Sequence, residues 1–242
     1  MGEYPTVETT NTKHIMAKKE DFKKQDQNLE NVEEAMSTTS VWIEEHSTML
    51  TWIIVGIAAV VMGCIAINQY VIKPKALEAS NENAKAVVYF AAGDWQKALA
   101  GDDAECIGFE AIADEYSHYQ EGELAALYAG ICHYQLGEYE EAAKYLKKFS
   151  ADDLTIDPAT RQLLGDAYVQ MDELEKAAVA FRSAANSENE IVAPMSLKKA
   201  GFVYLELGDK KQAKKVFEMI RQKYPNSAEA SDIDKYIALA EE

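Results

Sequence analysis

The side chains able to do chemistry are few in this 242-residue chain, and they are not grouped. His14, His46, His118 and His133 lie far apart and form no HExxH pair, the spacing that sets two imidazoles on one helix face for zinc. Cys64, Cys106 and Cys132 have neither CxxC nor Cys/His ligand spacing. Cys106 and Cys132 would pair only in an oxidising compartment. Gly93, Gly101, Gly108, Gly122 and Gly130 build no GxGxxG or Walker loop for phosphate. Acidic runs at 138–141 and 172–175 place carboxylates on turns and helix N-termini, where the helix dipole favours them, and suggest no metal site. These patterns predict no catalysis, no cofactor and no metal, and point to a protein that binds.

Charge narrows the partners. The chain has 24 Lys and Arg against 41 Asp and Glu, a net charge of −17. A phosphate backbone must be met by surplus cations, so nucleic acid is disfavoured. An anionic lipid surface is disfavoured for the same reason, and the acidity reads as spread along a solvated surface.

The elements that could present a binding surface begin with residues 47–72, which carry no charge. Residues 49–67 are almost wholly apolar, and nine of them are Leu, Ile or Val. At roughly 1.5 Å per residue that run spans about 28 Å, close to a bilayer's roughly 30 Å hydrocarbon layer. Trp52 and Tyr70 suit the headgroup layers at its two ends. Lys73 and Lys75 stop the span, and Pro74 is expected to end its regular helix. A polar stretch at 1–46 precedes it, which fits an uncleaved anchor better than a signal peptide. Within that stretch, 1–27 reads as disordered. Leu29, Val32, Met36 and Ile43 suggest a short amphipathic helix. The start matches a myristoylation pattern formally, but a chain with its own span has no need of an acyl anchor. Lys73 and Lys75 alone would put the long C-terminal part of the chain in the cytoplasm. Lys13, Lys18, Lys19, Lys23 and Lys24, with the ready translocation of long domains, lean the other way.

From 73 to 242 the chain repeats. Leu164-Gly165-x2-Tyr168 is followed by Ala177-x3-Phe181. Ala200-Gly201-x2-Tyr204 is followed by Ala213-x3-Phe217 and Pro225. Ala129-Gly130-x2-His133 is followed by Gly137-x-Tyr139 and Ala142-x3-Leu146. Gly130, Gly165 and Gly201 stand 35 and 36 residues apart, the period and pattern of tetratricopeptide hairpins. Close backbone packing is the expected reason for these glycines inside helices. The architecture this predicts is all-α: a single transmembrane helix, then a tetratricopeptide solenoid. Its units are placed at about 79–120, 123–156, 158–190 and 194–227, with a cap at 228–242. The first unit is degenerate, with an insertion around 101–108. Ile233, Ile237 and Leu239 should face inward from the cap, and His133 holds an aromatic position and should pack.

Two surfaces are candidates for binding. Gly56, Ala59, Gly63 and Ala66 form a small-residue stripe along the span, which lets a neighbouring helix approach. Small residues are also common in spans generally. The first helix of each unit should line an inner wall containing Leu127, Ile131, Tyr134, Val169, Met195, Phe202 and Leu205. Such an apolar wall suits a helix or extended peptide, unless these residues pack between neighbouring helices.

Three phrases carry a family resemblance: Gly108-Phe109-x-Ala111-Ile112-Ala113-Asp114-Glu115-Tyr116, Leu124-Ala125-Ala126-Leu127-Tyr128-Ala129-Gly130, and Ile233-Asp234-Lys235-Tyr236-Ile237-Ala238-x-Ala240-Glu241. With the order of parts they resemble the YfgM-like ancillary subunits of the SecYEG translocon. The resemblance implies a bacterial inner-membrane protein with a cytoplasmic tail, one span and a periplasmic repeat domain. It implies association with the translocon and with the membrane-anchored periplasmic chaperone PpiD, and it carries no catalytic residues. The chain departs from the family in lacking basic residues just before the span. Two functions stay open: a chaperone-associated translocon accessory, or a scaffold that organises an envelope complex without touching client chains.

Overall fold

The computed structural model describes residues 46–102, 105–187 and 189–241. The expectations for residues 1–45, including the amphipathic helix and the myristoylation pattern, lie outside them. Contacts divide the chain into two units, one ending at Asn68 and one running from Gln69.

Within the first unit, helix α1 (Ser47–Ile67) has no charged residue in its terminal turns and buries no side chain. It is the one helix among the described residues long and apolar enough to cross a membrane. Gly56 and Gly63 face open space, with no atom within 4 Å of an added Cβ.

Proline does not end the helical backbone, contrary to expectation. A π-helical turn (Asn68–Ile72) leads into α2 (Lys73–Ala91), in which Pro74 occupies the first turn. A proline lacks the N–H and crowds the carbonyl four residues back. The wider π turn just before Pro74 accommodates both defects locally.

The second unit is all-α, with no β-strand among its described residues and one isolated bridge between Asp102 and Cys106. After α2 come α3 (Trp95–Ala100) and α4 (Gly108–Glu115). Three hairpins succeed them: α5 (Gln120–Leu136) with α6 (Tyr139–Leu146), α7 (Ile156–Gln170) with α8 (Leu174–Ala184), and α9 (Val192–Glu206) with α10 (Lys210–Lys223). A 3-10 turn (Ala228–Asp232) and α11 (Ile233–Leu239) close the array.

Each hairpin turns on a residue with positive φ: Gly137, Asp172 and Gly208. The insertion folds back on itself between Gly101 and Gly108, both at positive φ. A Cβ on Gly101 would sit 2.0 Å from the Cys106 carbonyl oxygen, so only glycine closes this neck. Asp102 organises the loop: one carboxylate oxygen accepts from the Glu105 and Cys106 amides, and the other from the Tyr89 hydroxyl. That bond is the first reason the Tyr89 phenol is pushed up to about 12.

Three successive clusters form the core. Phe109, Ile112 and Cys132 sit in the first, Ala167, Ala177 and Phe181 in the second, and Val216, Phe217, Ile220 and Ile233 in the third. Phe217 is fully buried, which contributes roughly 2–3 kcal/mol against exposure. The cap differs in one residue from expectation. Ile233, Ile237 and Ala240 point inward, while Leu239 is 46 % exposed. Positions i, i+4 and i+7 share a helix face, and i+6 does not.

Candidate partner-binding surface

The repeat register decides where each wall residue falls. Gly130, Gly165 and Gly201 occupy equivalent positions on α5, α7 and α9, and each receives a large side chain from the second helix of its hairpin. A Cβ on Gly130 would meet Leu146 at 2.6 Å, on Gly165 Phe181 at 2.5 Å, and on Gly201 Phe217 at 2.1 Å. Each glycine therefore seats a side chain, and the close backbone approach expected of them is seen at Gly130, where an added Cβ would also meet the Leu146 backbone nitrogen at 3.1 Å.

Counting from those glycines, Tyr134, Val169 and Leu205 are equivalent. All three are partly buried against the cores, Tyr134 and Val169 in the second and Leu205 in the third. Tyr134 also meets Tyr139 edge to face, ring centres 5.4 Å apart. Its phenol is raised by burial and by the Asp166 charge. Leu127 is buried and Ile131 half-buried on α5. Met195 and Phe202 are the most exposed of the seven, at 37 % and 40 %.

Polar groups occupy the same register between these apolar residues. Asp166 stands where Ile131 and Phe202 stand in the flanking hairpins, and its carboxylate accepts from Lys199 Nζ at 2.6 Å. Gln162 stands at the register of Leu127, and the Ser196 hydroxyl donates to it at 2.9 Å. At the far end the ring of Tyr236, from the cap, crosses Phe202 edge to face with centres 4.9 Å apart. Lys198 Nζ donates to Asp232 at 2.6 Å beside it. The expected apolar wall is thus interrupted at its centre by an ion pair and covered in part by the chain's own cap. The reason is stacking: the helices α7 and α9 need polar bonds across a seam that water reaches.

Two concavities accompany this wall. One, of about 480 Å³, is lined by Ile191, Met195, Tyr224 and Pro225 among others, and takes in the exposed Met195. The other, of about 530 Å³, lies between α6, α7 and α8, with Leu146, Phe149, Leu164, Tyr168 and Val179 in its walls. Arg161, at the register of the buried Ala126 and Leu197, is among its lining residues. Its guanidinium pairs with Asp157 at 2.7 Å and donates to the Ser183 hydroxyl of α8 at 3.1 Å, so a polar group lines one side of the cavity.

His133 is the polar residue that the motif concealed. Its ring stacks on Tyr145, centres 5.3 Å apart, as an aromatic at that position should. Its nitrogens also reach Glu138 at 2.6 Å and Glu110 at 3.0 Å. Glu138 is five residues on and lay within reach of sequence reasoning; Glu110 comes from the neighbouring helix α4, 23 residues earlier, and did not. Cys106 and Cys132 are free, buried thiols, and burial pushes Cys132 up to about 12.

The tetratricopeptide repeat family profile matches residues 124–152 and 197–227, which cover most of the first and third hairpins. No curated protein matches the chain. The hairpin α7–α8 lies outside the matched residues yet repeats the same seat, Gly165 under Phe181. The chain therefore contains tetratricopeptide repeats, a module through which proteins bind other proteins.

Proposed function

We propose that the chain is an accessory subunit of the SecYEG-type translocon, anchored in a bacterial inner membrane with its tail inside and its repeats in the periplasm. There it works beside a membrane-anchored, PpiD-like chaperone in protein export and folding. One observation carries the reading beyond the family resemblance: Met195 and Phe202 remain exposed on the first helix of the last hairpin, next to an open concavity. Exposed apolar side chains beside a concave surface suit a partner's helix or extended segment.

The experiment is recovery of tagged full-length protein in mild detergent, followed by mass spectrometry. Translocon subunits and a periplasmic folding factor should come down with it. Replacing Met195 and Phe202 by Asp should weaken that recovery. Tyr134 and Leu205 are unsuitable test sites, because they pack into the cores. Filling the span's stripe with Gly56→Ile and Gly63→Ile should loosen the complex in part, since two weak surfaces held in one membrane reinforce each other. Recovery of neither class of partner overturns the assignment.

A second reading has its own support. The Asp166–Lys199 pair and the Tyr236 ring over Phe202 leave less free apolar wall than a client-binding groove would offer. That favours a scaffold that organises an envelope complex without holding client chains. Site-specific photocrosslinking from position 195 separates the two: links to emerging chains support the first, and links to fixed subunits alone support the second.

A further inference from the structure

The acidity of the chain is not evenly spread. Residues 73–190 carry 10 Lys and Arg against 23 Asp and Glu, whereas residues 191–227 carry eight against three. The excess sits on α10, which has six cations and one acid. Lys214 and Arg221 are used at home, pairing with Glu241 at 2.7 Å and Asp234 at 3.2 Å to hold the cap. Lys210, Lys211, Lys215 and Lys223 are exposed, and none makes an ion pair among the described residues.

These lysines work against their own helix. The equivalent helices begin with acids in the first turn, Glu140 and Glu141 on α6 and Glu175 on α8, where the dipole favours them. α10 has no acid there and begins with two lysines. Lys210 and Lys214, and Lys211 and Lys215, also repel at i and i+4. The Asp209 cap, which accepts from the Gln212 amide at 3.0 Å, offsets only part of this. At the register of Lys210 the other hairpins have Tyr139 and Leu174, which pack against the second core. Among the described residues nothing rewards the lysines, which points to a partner outside them.

The matching surface is on the same edge of the same chain. Counted from the helix glycines, Glu140 and Glu175 are the equivalents of Lys211. Beside Glu175, the turn residue Asp172 takes φ 58, where the other two hairpins use glycine. An exposed acid is thus kept in a backbone conformation that glycine adopts without strain. Glu140, Asp172 and Glu175 are exposed and have no ion pair among the described residues. One edge therefore presents acids over two hairpins and lysines over the third.

We propose that two copies of this chain dock edge to edge, the lysines that open α10 in one meeting Glu140, Asp172 and Glu175 of the other. The contact is ionic, because no large apolar side chain between 203 and 238 is exposed. An anionic bilayer fits less well, because it would repel the acidic remainder of the domain that a second copy attracts. Confinement to one membrane raises the effective concentration of the two edges, so the pair forms there at modest intrinsic affinity.

The test uses full-length protein, isotope-labelled and unlabelled copies mixed in discs of uncharged phosphatidylcholine, with a carbodiimide that joins a lysine directly to a carboxylate. Links between labelled and unlabelled copies should connect Lys210, Lys211 or Lys215 to Glu140, Asp172 or Glu175. Their yield should fall about tenfold with Lys210→Glu and Lys211→Glu combined, and return when that variant is mixed with Glu140→Lys, Glu175→Lys copies. The lysine variant should melt no lower than the parent, because it restores acids to the first turn. Links confined within one copy overturn the proposal. So does protection of the α10 lysines from acetylation only when anionic lipid is added, which would assign the face to headgroups.

Discussion

At positions 130, 165 and 201 a missing side chain does the structural work, since each glycine is the floor on which Leu146, Phe181 or Phe217 rests. The Phe217 ring is fully buried and would lie 2.1 Å from a Cβ on residue 201, so Gly201→Leu must displace packed atoms. Overpacking of this kind costs roughly 1–3 kcal/mol, which thermal melting of a 69–242 fragment would report. Gly201→Ala combined with Phe217→Leu should recover part of the loss of Gly201→Ala alone. A Gly201→Leu domain that melts with the parent would show that the ring has another seat. The same scale explains what sequence reasoning missed. His133 was readable as an aromatic-position residue, and its stacking on Tyr145 agrees with that. Its bond to Glu110 depends on how α4 packs against α5, which no local pattern encodes.

Among the elements, the cap α11 ties charge to packing. Ile233, Ile237 and Ala240 complete the third core, and three ion pairs surround them: Lys198–Asp232, Lys214–Glu241 and Arg221–Asp234. Hydrogen bonding from Lys198 holds the Asp232 carboxyl below its ordinary 3.8, and the Lys214 bond holds Glu241 below its ordinary 4.5. A carboxyl depressed in the folded state stabilises that state above its unfolded value, and the contribution fades as pH falls through the folded value. Docking of the cap should therefore be unaffected from neutrality down to about pH 5 and weaken progressively below about pH 4. Melting of the parent against a Lys198→Met, Lys214→Met variant as a function of pH checks this. The difference between them should shrink in acid, and a constant difference would remove the ion pairs from the account.

For the whole molecule, the deciding measurement under the proposed membrane anchoring is which side of the bilayer holds the repeats. The lysines near the span and those of the tail pull in opposite directions, and Asn186 offers an exposed place to ask. With a cysteine there, intact cells should react with a membrane-impermeant maleimide if the repeats are periplasmic. Labelling only after lysis would put them in the cytoplasm. The native thiols interfere little, because Cys106 and Cys132 are buried and Cys64 lies in the apolar helix.

The all-α architecture, the apolar helix at 47–67 and the three hairpins were legible in the sequence because each rests on local spacing. A run of uncharged residues, a 35- to 36-residue glycine period and the aromatic that comes after each glycine carry the same meaning wherever the chain folds. Pro74 shows the limit of such reasoning: proline forbids one hydrogen bond, but a π turn five residues long supplies another route. The binding wall shows it more fully. Tyr134, Val169 and Leu205 read as a surface because they share a register, yet that register faces the neighbouring hairpin, so they pack. Whether an apolar residue is floor, filling or surface depends on which helix stacks against it and how closely. Asp166 beside Lys199, and Tyr236 over Phe202, were decided by contacts 33 or more residues apart, at distances that only the stacked tertiary structure sets.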